Sequence, residues 1–342
     1  MDAQRMDRFR QSLEERRESV VEWLRLAPPE ERARVTNGVL SNGVDPNLTV
    51  VQELDRALER VGDGTFGRCD LCENDDVEEE RLLLDFTTRV CLAHFSQAQL
   101  DALERDLELA AQVQLQLFPK WVPALNGVQL ASNATAGRIV SGDYFDFFRF
   151  RNDDQGAIIA DVMGAGLPAG ILMSSLQASL RLVGPDYDDP DGLARRLNEL
   201  FRYNLKLIRF ISMVLVAFDP ERRQFRYTNA GHNPPLLYRP IDGTYSWLKP
   251  TGPAIGLLPE PPFHTGTVDT KPGDVLVLYT DGLVEARFAG ESPFGEERLL
   301  SYVAEHSDES ADDVARGLWT AVRRHSGGGM TDDMAVIVAR FV

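Results

Sequence analysis

The chain has 342 residues, a hydrophobic fraction of 43% and a formal charge of -17. That is enough length for two folded units, and too acidic a balance for the general basic face that nucleic-acid phosphates attract. No apolar run approaches the roughly 18 to 20 residues that cross a bilayer, and Met1 leads into Asp2, Arg5 and Asp7 rather than into a signal peptide, so a cytoplasmic protein without membrane or direct nucleic-acid contacts is expected.

In chain order, Phe9, Leu13, Val20, Val21, Leu24 and Leu26 recur at near-helical spacing until Pro28-Pro29 breaks the run. Asn37-Gly38 and Ser41-Asn42-Gly43 mark a loop, and a second amphipathic stretch covers Val50 to Val61. From Ser96 to Phe118 one helix is predicted, with Leu100, Leu103, Leu107, Ala110, Ala111, Gln114 and Leu117 along one side and Pro119 as its stop. It can serve as a linker, able to dimerise or regulate, or pack as a surface helix on the downstream domain.

After about Gly127 the pattern changes to short β-branched and aromatic runs. Strands are predicted at Val128–Leu130, Tyr144–Phe150, Gly156–Ala160, Met213–Asp219, Gln224–Ala230, Leu236–Tyr238, Val275–Tyr279 and Met334–Phe341. Helices are predicted at Leu167–Leu182, Gly192–Leu207, Gly295–Glu305 and Ala311–Arg324. Consecutive strands with helices grouped between them indicate an α+β domain of two packed sheets flanked by helices. The expected organisation is a helical region at 1–61, a cysteine-bearing module at 62–95, a linker helix at 96–120 and a catalytic domain at 121–342.

All three cysteines lie in the spacing Cys69-x2-Cys72-x18-Cys91-x2-His94. A disulfide scheme would leave one unpaired, whereas two tight turns that each aim two donors at one point suit a tetrahedral Zn²⁺ site and use them all. His94 is the expected fourth ligand, with water, Asp70 or Asp101 as alternatives. Ala57-Leu58-Glu59-Arg60, then Asp63-Gly64-Thr65-Phe66-Gly67 and the cysteines, resemble the zinc-finger segment of the DksA/TraR family. That resemblance covers about 40 residues, departs from the family in having His94 where a cysteine is usual, and lacks a matching acidic tip motif before Val50. A closed site of this kind supports folding and interaction rather than catalysis.

Four acidic motifs stand in the domain expected at 121–342: Ser141-Gly142-Asp143-Tyr144-Phe145-Asp146, Ala160-Asp161-Val162-Met163-Gly164-Ala165-Gly166, Tyr279-Thr280-Asp281-Gly282-Leu283 and Thr331-Asp332-Asp333-Met334. Each places an aspartate at a strand end, where a scaffold can hold a carboxylate open to water. Carboxylates gathered from distant segments repel unless cations lie between them, which points to hard ions such as Mn²⁺ or Mg²⁺.

The order of these motifs, with Asn229-Ala230-Gly231-His232-Asn233-Pro234-Pro235 and Gly252-Pro253-Ala254-Ile255-Gly256-Leu257, resembles the PPM family of metal-dependent phosphatases in its SpoIIE/RsbU branch, from about Leu107 to the C-terminus. The resemblance implies a serine/threonine phosphatase with two Mn²⁺ or Mg²⁺ ions, in which Asp161 bridges both metals and the Val162 carbonyl is a further ligand. Asp281 and Asp332 complete one shell, with Asp333 as the alternative to Asp332, and Asp143 serves the second metal directly or through water. Met163 stands where many eukaryotic relatives have a candidate acid, a histidine. Arg138 can contact phosphate or merely pack at the surface, and His232 is more simply a hydrogen-bonded loop histidine than a catalytic one.

The branch further implies a phosphorylated STAS-domain anti-sigma factor antagonist as substrate. It also implies that the helix at Glu108–Gln114 carries a signal, as a homodimer contact or otherwise, toward the helix after Gly166. An alternative of another class is a binding protein that docks its zinc module on RNA polymerase.

Overall fold

The computed structural model describes residues 3–26, 46–72, 76–135, 140–164, 166–202, 210–288, 292–328 and 332–342. The Pro28-Pro29 break, the loop at 37–43, Arg138, Ala165, Thr331 and the predicted helical residues 203–207 lie outside them. The chain divides into two compact units, one of residues 1–104 with 206–208, the other of residues 105–205 and 209–342. Among the described residues, no helix is long and apolar enough to cross a membrane.

In the first unit, α1 (Ala3–Leu26) packs against α2 (Pro46–Gly62), because Phe9 and Leu13 on one and Leu54, Ala57 and Val61 on the other recur every three or four residues and share a face. Phe66, Val77, Leu82, Cys69 and Cys91 close the same cluster, and the rings of Phe9 and Phe66 lie 5.2 Å apart. A short helix, α3 (Glu79–Leu84), lies between the cysteine pairs. The helix α4 (Gln97–Leu115) runs through the boundary between the units.

The second unit is built from two five-stranded sheets. Its strands are β1 (Val128–Thr135), β2 (Asp143–Arg149), β3 (Gln155–Val162), β4 (Ile211–Asp219), β5 (Gln224–Ala230), β6 (Leu236–Arg239), β7 (Thr244–Trp247), β8 (Gly266–Asp269), β9 (Val275–Tyr279) and β10 (Met334–Phe341). One sheet has the order β1-β10-β9-β6-β7 and the other β2-β3-β4-β5-β8, with every neighbouring pair antiparallel.

The sheets meet through Phe145, Phe147, Ile159, Val214, Val216, Leu276, Leu278 and Ile337. On the outer face of one, α5 (Leu167–Val183) and α6 (Pro190–Phe201) bury Met173, Leu176, Leu193 and Leu197 against Ile158, Met213 and Leu215. On the other, α8 (Gly295–Glu305) and α9 (Ala311–His325) bury Leu299, Val303, Val314 and Leu318 against Val277, Val336 and Val338. The central strands are therefore covered on both faces, which is why β4, β9 and β10 read as continuous apolar runs rather than alternating ones.

The α+β, two-sheet architecture predicted from the sequence is the one observed. Two edge strands, β7 and β8, and the five-residue helix α7 (Asp281–Glu285) were not anticipated. The helix expected at 192–207 begins earlier, at Pro190, and ends at Phe201.

Candidate metal centre

The aspartates are brought together by strand register and by one short helix. Asp143 opens β2 and lies directly across the ladder from Asp161, the next-to-last residue of β3. Asp281 follows β9 in the other sheet and starts α7, while Asp332 and Asp333 precede β10, which pairs with β9. Two glycines permit the close approach: a Cβ on Gly282 would fall 1.9 Å from Asp333 O, and one on Gly142 would fall 3.1 Å from Val162 O.

The electrostatics are those of carboxylates packed against one another. Burial, and then the charge of Asp161, hold the Asp143 carboxyl well above the usual carboxylate range, with Thr280 donating a partly offsetting hydrogen bond. Its Oδ2 is buried and has no hydrogen-bond partner. Burial and then Asp281, Asp332 and Asp333 push Asp161 up to about 7. Asp281 is raised by burial and then by Asp332. An orphaned buried carboxylate oxygen facing further carboxylates is costly unless a cation completes the site, so this donor set fits hard divalent ions.

Asp332 and Asp333 differ in what they touch. Asp333 Oδ2 accepts a 2.6 Å hydrogen bond from the Gly142 N–H, whereas Asp332 is exposed and its Oδ1 accepts from the Asp333 N–H. Asp146, in the same motif as Asp143, belongs to a different device: it is fully buried, receives the Tyr144 hydroxyl at 2.6 Å and is paired through both oxygens with Arg181. Met163 is 37% exposed. His232 is buried, with Nδ1 against Ser212 Oγ and Nε2 against Tyr279 O, and burial lowers it to about 4, so the ring is neutral at neutral pH.

Two supporting residues escaped the sequence reading as functional. Gln114, near the end of α4, is 6% exposed and grips the backbone of Ser141, donating to its carbonyl at 2.7 Å and accepting from its N–H at 2.8 Å. Its burial could be anticipated from its place on the apolar side of the predicted helix, but its partner, 27 residues away, could not. Thr280 accepts from the Ala335 N–H at 2.8 Å and so ties the start of α7 to β10.

In the first unit, one ligand atom each from Cys69, Cys72, Cys91 and His94 lie within 4.8 Å of one another, the one such group of three or more metal-ligand residues among the described residues. Asp70 and Asp101 are not part of it; Asp101 accepts from Gln97 instead. Burial raises the Cys69 thiol, but N–H groups of Cys91, Leu71 and Cys72 outweigh it and bring the value down to about 6. The three cysteines form no disulfide.

The second unit has the PP2C-type phosphatase fold: the SiaA PP2C domain of Pseudomonas aeruginosa superposes with a TM-score of 0.63 at 20% identity, covering 72% of this chain and all of that domain. The SpoIIE family model, Stage II sporulation protein E, matches residues 151–342, more than half of the sequence, and the chain belongs to that family. Among curated relatives, Phosphoserine phosphatase RsbU of Bacillus subtilis is 27% identical over 239 residues, 70% of each chain. Phosphoserine phosphatase RsbP of the same organism is 27% identical over 225 residues, 64% of this chain and 53% of its own length.

Proposed function

We propose that the protein is a metal-dependent phosphatase that removes phosphate from serine or threonine of a regulatory protein, with a phosphorylated STAS-domain anti-sigma factor antagonist as its substrate. The observation that carries this reading is the buried, unpartnered Asp143 Oδ2 beside Asp161, Asp281 and Asp333, with Asp332 acting in turn on Asp161 and Asp281. The names of RsbU and RsbP support phosphoserine as the group attacked.

In this reading Asp161, the Val162 carbonyl, Asp281, Asp332 and Asp143 would hold two Mn²⁺ or Mg²⁺ ions, with Asp161 shared between them, Asp281 and Asp332 serving one and Asp143 the other. Asp333 remains the alternative to Asp332, since each has one carboxylate oxygen accepting a backbone N–H, Asp333 from Gly142 and Asp332 from Asp333. When bound, such ions supply charge neutralisation for the phosphoryl group and lower the pKa of the attacking water. The chain's own work is to hold the carboxylates in place against their mutual repulsion: Gly142 N–H ties the segment that carries Asp332 and Asp333 beside Asp143, and Thr280, accepting from the Ala335 N–H, ties the start of α7 to β10. Met163 has no titratable group, so the leaving serine or threonine oxygen takes its proton from water or from another group.

One Zn²⁺ held by Cys69, Cys72, Cys91 and His94 is part of the same proposal, supported by the convergence of those four ligand atoms. Exposed Leu109 and Val113 on α4 support self-association through that helix.

The test is phosphate release from a phosphorylated STAS-domain protein by the full chain in Mn²⁺ and in EDTA, beside Asp161→Ala and Asp281→Asn. Activity in Mn²⁺ is expected, falling to the EDTA background in both variants. A folded wild type that releases no phosphate with Mn²⁺ or Mg²⁺ overturns the reading.

A further inference from the structure

Asp161 lies near the end of β3 and Asp281 two residues after β9, strands of different sheets, so strand pairing alone does not set the distance between them. One imidazole spans that gap. His232 Nδ1 lies 2.7 Å from Ser212 Oγ, and Ser212 is the residue directly across the β3–β4 ladder from Asp161. Its Nε2 lies 3.2 Å from the carbonyl of Tyr279, two residues before Asp281. A carbonyl only accepts, so Nε2 carries the proton, and in the neutral ring Nδ1 accepts from the Ser212 hydroxyl.

The ring is itself held in place. Asn229 Oδ1 accepts from the His232 N–H at 2.8 Å, and Asn229 Nδ2 donates to the carbonyls of His232 and Leu248. Gly231 makes the turn at φ +65, where a Cβ would fall 2.6 Å from Ala254 N. On the far side of the carbonyl it grips, Thr280 donates its N–H to Ala335 O at 3.1 Å. The segment leading into Asp281 is thus pinned between β10 and His232.

We propose that His232 is a positioning residue of the metal centre: bridging Ser212 and Tyr279, it fixes the spacing of Asp161 and Asp281 and thereby sets the affinity for divalent cations. The inference rests on the phosphatase reading. His232 acts through its two partners, Ser212 and Tyr279, so it differs from a catalytic histidine, and it differs from a mere core residue in what its loss changes.

The test uses the full chain with His232→Asn, which keeps an acceptor near Nδ1 but does not reach Tyr279; His232→Gln, whose amide reaches the Nε2 position; and Ser212→Ala. Mn²⁺ affinity is measured by calorimetry, with the melting temperature in EDTA and the Mn²⁺ dependence of phosphate release alongside. Direct partners of metal ligands typically govern 10- to 100-fold in affinity; His232→Asn, His232→Gln and Ser212→Ala each break one arm of the bridge and are expected to weaken Mn²⁺ binding by about 10-fold, the low end of that range. A His232→Asn protein that melts lower in EDTA yet binds Mn²⁺ like wild type has lost only packing, and overturns the inference while the phosphatase reading stands. If His232→Asn does not fold, Ser212→Ala decides on the same criterion. A wild type that binds no Mn²⁺ overturns the phosphatase reading and this inference with it.

Discussion

With no cation among them, burial and then the charges of Asp281, Asp332 and Asp333 hold the Asp161 carboxyl at about 7, against an ordinary 3.8. Between those values the folded protein keeps a proton that the unfolded chain has released, so stability falls as pH rises through the window, and the loss is complete above about 7. A shift of about three units corresponds to roughly 4 kcal/mol. In EDTA at pH 8, Asp161→Asn is therefore expected to be more stable than wild type by up to roughly 4 kcal/mol, the gain vanishing below about pH 4. Urea denaturation across pH measures it. His232, lowered to about 4 by burial, contributes the opposite slope between about 4 and 6.5, but both proteins carry it and it cancels in the difference. An Asp161→Asn protein less stable than wild type at pH 8 would show that the cluster is not strained by its own charge.

At the scale of elements, the clearest coupling is between the end of α4 and the loop that carries Asp143. Gln114 completes the backbone hydrogen bonds of Ser141, and the next residue, Gly142, donates to Asp333. Gly170 of α5 stands against the same place, where a Cβ would lie 2.2 Å from Val140 and 3.1 Å from Gln114 Nε2. Gln114→Ala leaves the N–H and carbonyl of Ser141 buried without partners, at roughly 1–3 kcal/mol for each unsatisfied group, and should also raise the Mn²⁺ concentration for half-maximal activity. Gln114→Glu keeps the acceptor but turns a carboxylate oxygen toward Ser141 O, so it should be no milder. Denaturation and Mn²⁺ titration of both variants check this, and wild-type behaviour in Gln114→Ala would break the proposed link.

These elements also show how far the sequence could be read. The strands β5, β9 and β10 match their predicted limits; in β9 and β10 this is because residues buried on both faces leave continuous apolar runs. The strand β7 was missed because Thr244, Tyr245 and Ser246 are exposed and carry no buried face, and α7 because Asp281-Gly282 resembles a turn and the helix is five residues long. The aspartates were legible as strand-end motifs. What was not legible is the set of contacts that holds them, since Gln114–Ser141, Gly142–Asp333 and His232–Tyr279 join residues 27, 191 and 47 apart.

The two units of the whole molecule have different sources of stability. The second buries three apolar clusters between and outside its sheets. Among the described residues, the first has one small cluster, in which Cys69 and Cys91 are themselves core residues. A core of that size is marginal by apolar burial alone, and a metal that binds only the folded unit adds its binding free energy to folding. Scanning calorimetry of the full chain is expected to show two transitions, with one zinc per chain by elemental analysis. A zinc-selective chelator should lower one transition, and Mn²⁺ should raise the other by binding the aspartate centre. Because the donor sets differ, thiolate and imidazole in one unit and carboxylate oxygen in the other, each reagent acts on its own transition. A chelator that removes zinc without moving either transition would make the cysteine site dispensable for folding, and Mn²⁺ that moves neither would count against the carboxylate site.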